Sequence, residues 1–191
     1  MHHYDYVVVG AGSAGSALAN RLSESGKFTV CLLEAGGSDK KFWVQMPLGY
    51  GKVFHDPSVN WRYMTEPEPN LDNQSVYWPR GKVLGGSSSI NAMVWVRGHK
   101  RDYEEWASVA PGWDWNNVQK IFNRIENWDG TSDVSRGMNG PQAVHDVSSD
   151  VHPLTISYLE AASQIGIKTN ADYNGPNMEG ASCYQISTKG G

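Results

Sequence analysis

Two cysteines, Cys31 and Cys183, are all that the 191 residues contain, and they stand far apart with no C-x-x-C pair or Cys/His cluster. That scarcity excludes a disulfide framework and a structural zinc site and leaves both thiols as small apolar side chains. Basic charge is equally short. Lys and Arg number 16 against 20 Asp and Glu, a formal charge of −4 with a pI near 5.8, and no concentrated Lys/Arg surface is available to meet phosphates, so a nucleic-acid partner is not expected. No apolar run approaches the roughly 20 residues that cross a bilayer, so no membrane span is expected. Met1-His2-His3-Tyr4 leads straight into a strand pattern without a basic, apolar or cleavable leader. The expectation is therefore a cytoplasmic chain, with peripheral attachment to a membrane left open. Asn73-Gln74-Ser75 matches a glycosylation sequon that has no use without secretion. No internal repeat is present.

Glycine and tryptophan are plentiful by contrast, with 21 and 8 residues, a combination that suits tight turns beside large buried rings. The β-branched run Tyr6-Val7-Val8-Val9 passes at once into Gly10-Ala11-Gly12-Ser13-Ala14-Gly15. A helix is expected next, with Ala14, Leu18, Ala19 and Leu22 at helical spacing and Gly26 as its stop. Phe28 to Leu33 is almost continuously apolar, as in a parallel strand covered on both faces, and ends at Glu34. Residues 5–34 thus read as one βαβ unit. Residues 35–60 read as a long loop with a short helix near Phe42 to Val44, the kind of connection that is usually functional. Asn60 to Thr65 and Val76 to Trp78 read as a hairpin-like pair of short strands. Further on, Trp113 to Asn127 is expected to be a helix burying Val118, Ile121, Phe122 and Ile125. Pro153 to Ile165 is expected to be another, with Leu154, Tyr158, Ala161, Ala162 and Ile165 on one side and Gly166 as its stop. Asp129 to Asp150 reads as surface loop.

Gly10-x-Gly12-x-x-Gly15 has a physical task in such a unit. The first glycine makes the turn, the second lets main chain approach a pyrophosphate, and the third lets helix and strand pack closely, so the helix N-terminus faces the phosphates. Glu34, 19 residues after Gly15, is placed to accept hydrogen bonds from a ribose 2′-hydroxyl and to repel a 2′-phosphate, which disfavours NADP. FAD and NAD remain open on this motif alone. A second cluster, Gly81-Lys82-Val83-Leu84-Gly85-Gly86-Ser87-Ser88-Ser89-Ile90-Asn91, gathers backbone donors into another concavity suited to an anion.

With Asn91, Trp95 and Gly98, the stretch from Gly81 to Glu104 resembles the signature of the glucose–methanol–choline (GMC) oxidoreductase family, and the segments Asp5 to Gly36 and Asn60 to Gly81 resemble its bacterial choline and alcohol dehydrogenase branch. The resemblance spans essentially the whole chain. It implies an α/β fold, a Rossmann-type FAD-binding domain incomplete as given, with short β-strands and helices from the start of the substrate domain. Residues 1–191 would be the N-terminal portion of that domain. The implied activity is oxidation of an alcohol to an aldehyde by hydride transfer to flavin N5, the alcohol being choline, aliphatic or aromatic and the electron acceptor oxygen or a quinone. Carried over by position, Gly10, Gly12, Ser13 and Gly15 would contact the FAD pyrophosphate, and Glu34 and Ala35 the adenosine ribose. Trp61 would pack near the cofactor, and Val83, Gly86, Ser87, Asn91, Ala92 and Met93 would line the flavin side. Some relatives tether the flavin through a His where this chain has Ile90, so non-covalent FAD is implied.

Family members are several hundred residues long, and the implied catalytic His lies in a C-terminal portion that this chain does not contain. No catalytic residue is expected here: His2, His3, His55, His99 and His145 are read as solvated or structural. The implied partners are that C-terminal portion, as a separate or cleaved chain, and a small alcohol. Lys189-Gly190-Gly191 reads as an exposed cleavage site. The alternatives are a truncated, non-catalytic FAD-binding module and an NAD-dependent dehydrogenase. Trp43, Tyr50 and Phe54 fit either core packing or a substrate lid.

Overall fold

β1 (Tyr6–Val9) and β2 (Val30–Leu33) pair in parallel, with Tyr6 opposite Val30 and Val9 opposite Leu33, and α1 (Ser13–Ser23) crosses between them. This is the expected βαβ unit. It belongs to a computed structural model that describes residues 2–131 and 134–189 and that forms two compact units, divided between Ala92 and Met93. The inferred cleavage segment lies, after Lys189, outside the described residues. Two positions of the inferred 129–150 loop, 132 and 133, do so too.

In the first unit α1 packs through the stripe Gly15, Ala19 and Leu22, while Ala14 and Leu18 face outward, and Gly26 ends the helix region with φ +67°. The strands differ from expectation. Val9 is 82% exposed and Val7 57%, because within this unit only α1 packs on the pair. The loop that follows holds three short helical turns, α2 (Phe42–Gln45), a 3-10 turn at Pro47–Gly49 and α3 (Tyr50–Val53). These bring Val44 and Val53 against Val59, Val83 and Ile90 in the unit's apolar core. Trp43 and Tyr50 remain exposed, so core packing does not account for them; Tyr50 meets Phe54 edge-on at 5.6 Å.

β3 (Tyr63–Met64) and β4 (Tyr77–Trp78) form the expected antiparallel pair, with Tyr63 opposite Trp78. The strands are shorter than the sequence pattern suggests because Arg62 turns to φ +55°. Asn60 holds that corner from a buried position. Its amide donates to the Phe54 carbonyl at 2.8 Å, and its Oδ1 accepts from the amides of Arg62 and Arg80 at 2.9 and 3.0 Å.

The second unit contains a helix that the sequence reading missed, α4 (Lys100–Ala107). Its polar composition hides it, but its start is well specified: His99 Nδ1 accepts from the Arg101 amide and Asp102 accepts from the His99 amide, a reciprocal cap. α5 (Trp115–Ile125) begins at Asp114, whose carboxylate accepts from the Asn117 amide at 3.1 Å. The expected extension to Asn127 is not observed. Residues Glu126–Trp128 instead form β5, which pairs in parallel with β6 (Gln142–Val144), so the inferred surface loop 129–150 contains a strand. The segment 185–187 runs beside β6 on one side and residues 93–95 on the other, through antiparallel bridges from Ile186 to His145 and to Val94. α6 (Pro153–Gln164) matches its expected span, but not its expected face. Leu154, Tyr158 and Ile165 are exposed, and Thr155, Leu159 and Ala162 are the half-buried stripe.

Charge, not apolar packing, organises this unit. Glu126 is fully buried, and so are the side chains of Arg97, at 2% exposure, and Arg136. Arg136 engages Glu126 through two parallel bonds, Nε to Oε2 and Nη2 to Oε1, both 2.9 Å. Arg97 donates to Oε2 at 2.6 Å, the Trp95 indole to Oε1 at 2.7 Å and the Gly137 amide to Oε2 at 3.0 Å. Arg136 also reaches Asp172 at 2.6 Å and lies 4.0 Å over the Trp128 ring. Two cations are thus matched by two anions, the condition under which buried charges are tolerated. Burial by itself raises the Glu126 carboxyl, but the bonds from Arg136 and Gly137 and the nearby guanidinium charges outweigh it and hold the group below its ordinary 4.5.

Removing this carboxylate strands two guanidiniums. Glu126→Ala should therefore lower stability by about 3 to 5 kcal/mol, read as a fall in the urea midpoint. Because the folded Glu126 value lies below the unfolded one, its stabilisation is complete above the ordinary carboxyl value and is lost as pH falls through the lowered one. Acid titration below pH 4.5 should accordingly unfold the second unit, with loss of the Trp95 and Trp128 fluorescence signature as the readout.

Candidate functional site

The first unit carries an open cleft of about 610 Å³ at the C-terminal ends of β1 and β2. This is the edge at which open parallel sheets bind ligands. Gly10, Gly12, Glu34, Ala35, Trp61, Gly86 and Ser87, singled out in the sequence, line it together with Gly81 of the second glycine cluster, joined by Val9, Leu33, Tyr63 and Arg80, which were not candidates.

The two glycine clusters come together through bare main chain. The Gly85 amide donates to the Ala11 carbonyl at 2.8 Å, and Gly12 and Gly85 form a parallel bridge. The hydroxyls of Ser13 and Ser88 hydrogen-bond across the junction. At Gly86, with φ +59°, a Cβ would sit 2.8 Å from the Gly12 Cα. At Gly15 it would sit 1.9 Å from the Gly10 carbonyl oxygen, so the third glycine of the motif is required for α1 to pack on the turn. Gly12 differs. Its backbone is extended, with φ −75°, and a Cβ there would meet nothing nearer than 3.9 Å. No side chain caps α1 and no acid lies in its first turn, which leaves the positive end of the helix open to an anion from outside the chain.

Glu34 sits at the end of β2. Its Oε2 accepts from the Ala11 amide and its Oε1 from the Gly36 amide, both at 2.8 Å. The carboxylate therefore braces the glycine turn, while each oxygen retains a further lone pair for a hydroxyl donor. Across the cavity Trp61 stacks on Tyr63 at 5.9 Å with the rings 6° from parallel, and the Lys82 ammonium lies 4.6 Å over the indole. The Arg80 guanidinium lies 5.0 Å over Trp78. An aromatic platform and two cations thus share the cavity's neighbourhood with the glycine turns, a donor set matched to a planar base joined to phosphates.

The remaining candidates lie elsewhere. The Val83 side chain is fully buried in the core with Ile90, which leaves only its main chain for binding. Asn91 and Ala92 are exposed at the end of the first unit. Met93, with φ +60°, begins the second, where its carbonyl accepts from the Ser187 amide at 2.8 Å. His99 and His152 cap α4 and α6, and His55 stacks on Tyr77 at 5.4 Å. Both cysteines are half-buried free thiols. Among the described residues no cluster of His, Cys, Asp and Glu could hold a metal, and no helix is long and apolar enough to cross a membrane. Sequence reasoning missed Tyr63 and Arg80; the signals for them were the alternation Trp61-x-Tyr63 and the place of Arg80 just before the second glycine cluster.

Comparison with known proteins finds relatives along almost the whole chain. Residues 4–191 match the family described as GMC oxidoreductase. The chain is 43% identical over 190 residues to an alcohol dehydrogenase [acceptor] of Pseudomonas putida, covering 98% of this chain and 34% of that protein. It is 47% identical over 177 residues to an oxygen-dependent choline dehydrogenase of Rhizobium etli, covering 92% and 32%. Among solved structures it superposes on pyridoxine 4-oxidase from Mesorbium loti with a TM-score of 0.91 at 31% identity, over 98% of this chain and 37% of that one. An FAD-dependent oxidoreductase from Chaetomium thermophilum gives a TM-score of 0.81 at 27% identity, over 96% and 33%. The chain thus spans about a third of the length of these relatives. By the match over almost its whole length, this chain belongs to the glucose–methanol–choline oxidoreductase family.

Proposed function

We propose that this chain is the FAD-binding part of a flavin-dependent alcohol dehydrogenase or oxidase, whose reaction is completed by a C-terminal portion. The observation that carries the reading is Gly12: the fold gives no reason for a glycine there, yet it faces a cavity beside an uncapped helix N-terminus. A ligand that must approach the main chain closely supplies the reason. Ser13 and the amides of the first turn of α1 would hold the pyrophosphate, and Glu34 with Ala35 the adenosine ribose. Trp61 would cover the cofactor, and Gly86, Ser87, Asn91, Ala92 and Met93 would supply the flavin side. Bound there, FAD would provide N5 as the hydride acceptor for oxidation of an alcohol to an aldehyde. Ile90 is apolar and buried and offers no nucleophile, which supports a non-covalently held cofactor.

The relatives named above act, by their names, on choline, pyridoxine and other alcohols, and a small alcohol is the substrate class proposed. The exposed faces of β1 and β2 support a further portion of the enzyme as partner, since apolar strand surface of this kind is normally covered. A second reading, a cofactor-binding module without catalysis, is favoured by one observation: the cavity is lined entirely by residues 9–87.

Titration of the 191-residue chain with FAD should quench flavin or tryptophan fluorescence and saturate, whereas titration with NAD should not. Gly12→Ala should fold normally by circular dichroism and weaken FAD binding by about tenfold or more, since 1.4 kcal/mol is one decade. Gly15→Ala, which places a methyl group against a carbonyl oxygen, should instead lower the stability of the first unit by about 1 to 3 kcal/mol. For the longer enzyme purified with its flavin, an alcohol substrate should bleach the yellow colour anaerobically. Binding without bleaching by any alcohol would leave the module reading in place of the enzyme one.

A further inference from the structure

In the second unit the His145 ring lies between two oxygens that can only accept. Its Nδ1 meets the Asp129 carboxylate, and its Nε2 lies 2.9 Å from the Thr188 carbonyl oxygen. A neutral imidazole carries one N–H, so it satisfies one of these oxygens and turns a lone pair on the other; the imidazolium satisfies both. We propose that His145 is a proton-dependent clamp: as the imidazolium it ties the segment 186–188 to the corner of β5 and β6, and on losing its proton it releases one of the two ties.

The surroundings fit a clamp. His145 and Ile186 exchange main-chain bonds, the His145 amide to the Ile186 carbonyl at 2.8 Å and the reverse at 3.2 Å. Asp129 is fixed in turn, because its Oδ1 accepts from the Asp146 amide at 2.9 Å and its own amide donates to the Val144 carbonyl at 3.2 Å. One side chain therefore joins three stretches: the residue after β5, the residue after β6 and the 186–188 segment. Among the described residues Asp129 is the charged group that meets the ring. Residues 186–188 contribute no charged side chain, and the Asp146 carboxylate, on the ring's own segment, is engaged by the Ser148 amide at 2.9 Å. The bond with Asp129 is the largest influence and raises the ring; burial opposes it, and the contact with Thr188 and the Asp129 charge add to the rise, leaving the ring above the ordinary histidine value of 6.5. Because the folded value is the higher one, the clamp contributes fully below pH 6.5 and is lost as pH rises through the raised value. The clamp involves no residue of the cofactor cavity, so its test is independent of flavin binding.

The experiment is an NMR titration of the His145 ring in the unmodified 191-residue chain, combined with pH-resolved hydrogen exchange of the Ile186 and Ser187 amides. Both ring nitrogens should be protonated at pH 6, the ring should titrate above 6.5, and Asp129→Asn should move it down. Protection at Ile186 and Ser187 should fall several-fold, beyond the intrinsic pH dependence of exchange, as the ring loses its proton. In His145→Gln that extra pH dependence should vanish. A ring that titrates at or below the ordinary value, or exchange at Ile186 and Ser187 that follows the intrinsic rate throughout, would overturn the proposal without recourse to either variant.

Discussion

Ala11 and Gly85 meet main chain to main chain, 74 positions apart in sequence, through the 2.8 Å bond from the Gly85 amide to the Ala11 carbonyl. The closeness of this approach sets the identity of Gly86, where a Cβ would lie 2.8 Å from the Gly12 Cα, whereas Gly85 is required by its φ of +86° and by the Ser89 hydroxyl beside it; the junction places the start of α1 against the 3-10 turn at Gly86–Ser89 and forms one wall of the cavity. Two parallel strands of four residues are too small a sheet to persist unaided. What holds β1 and β2 in place is this main-chain junction together with the packing of α1, and Gly86 is the position at which the junction itself excludes a side chain.

Glu34 illustrates how a residue can serve the fold and the site with the same atoms. Bonds from amides to a carboxylate contribute about 1.5 to 3 kcal/mol each, so the two from Ala11 and Gly36 give the chain its own reason to keep an acid at the end of β2. The same carboxylate lines the cavity and retains acceptor capacity toward it. In the proposed reading, the charge that would repel a 2′-phosphate is held rigid by the turn that would receive the pyrophosphate, and preorganisation of this kind reduces the ordering that binding must accomplish.

The legible parts of the sequence were those whose physics is local. A β-branched run, a glycine turn and an Ala-rich helix specify β1, α1 and β2 within 28 residues, from Tyr6 to Leu33. Glu34 could be assigned to the cavity because its place after β2 is a matter of spacing, and Pro153 and Gly166 marked α6 for the same reason. α4 escaped because its apolar residues are few and its start rests on a histidine cap, a weak signal in sequence. β5 and β6 escaped because nothing within Glu126–Trp128 announces a strand; that stretch continues the helical rhythm of α5 and leaves it only because Glu126 is drawn into a buried pocket of donors. Arg136, in a segment rich in Gly, Ser and Asp, looked like surface for the same reason. Its partners Glu126, Asp172 and Gln185 are 10, 36 and 49 residues away.

The contrast between the two units follows from what each must exclude. The first can leave its glycine turns open, since a cavity edged by amides and lone pairs stays solvated and bears no desolvation cost until a ligand enters. The second has closed water out around Glu126, and a carboxylate so enclosed is stable only if every lone pair is met. Trp95, Arg97, Arg136 and Gly137 meet them from four positions spread over residues 95–137. Partial formation would leave guanidinium or carboxylate buried without a counter-charge, which is worse than no burial at all. The network is therefore favoured to form as a whole, which accounts for the turn from α5 into β5 at Glu126, while α4 is held on α5 by Tyr103 against Trp115 and Phe122.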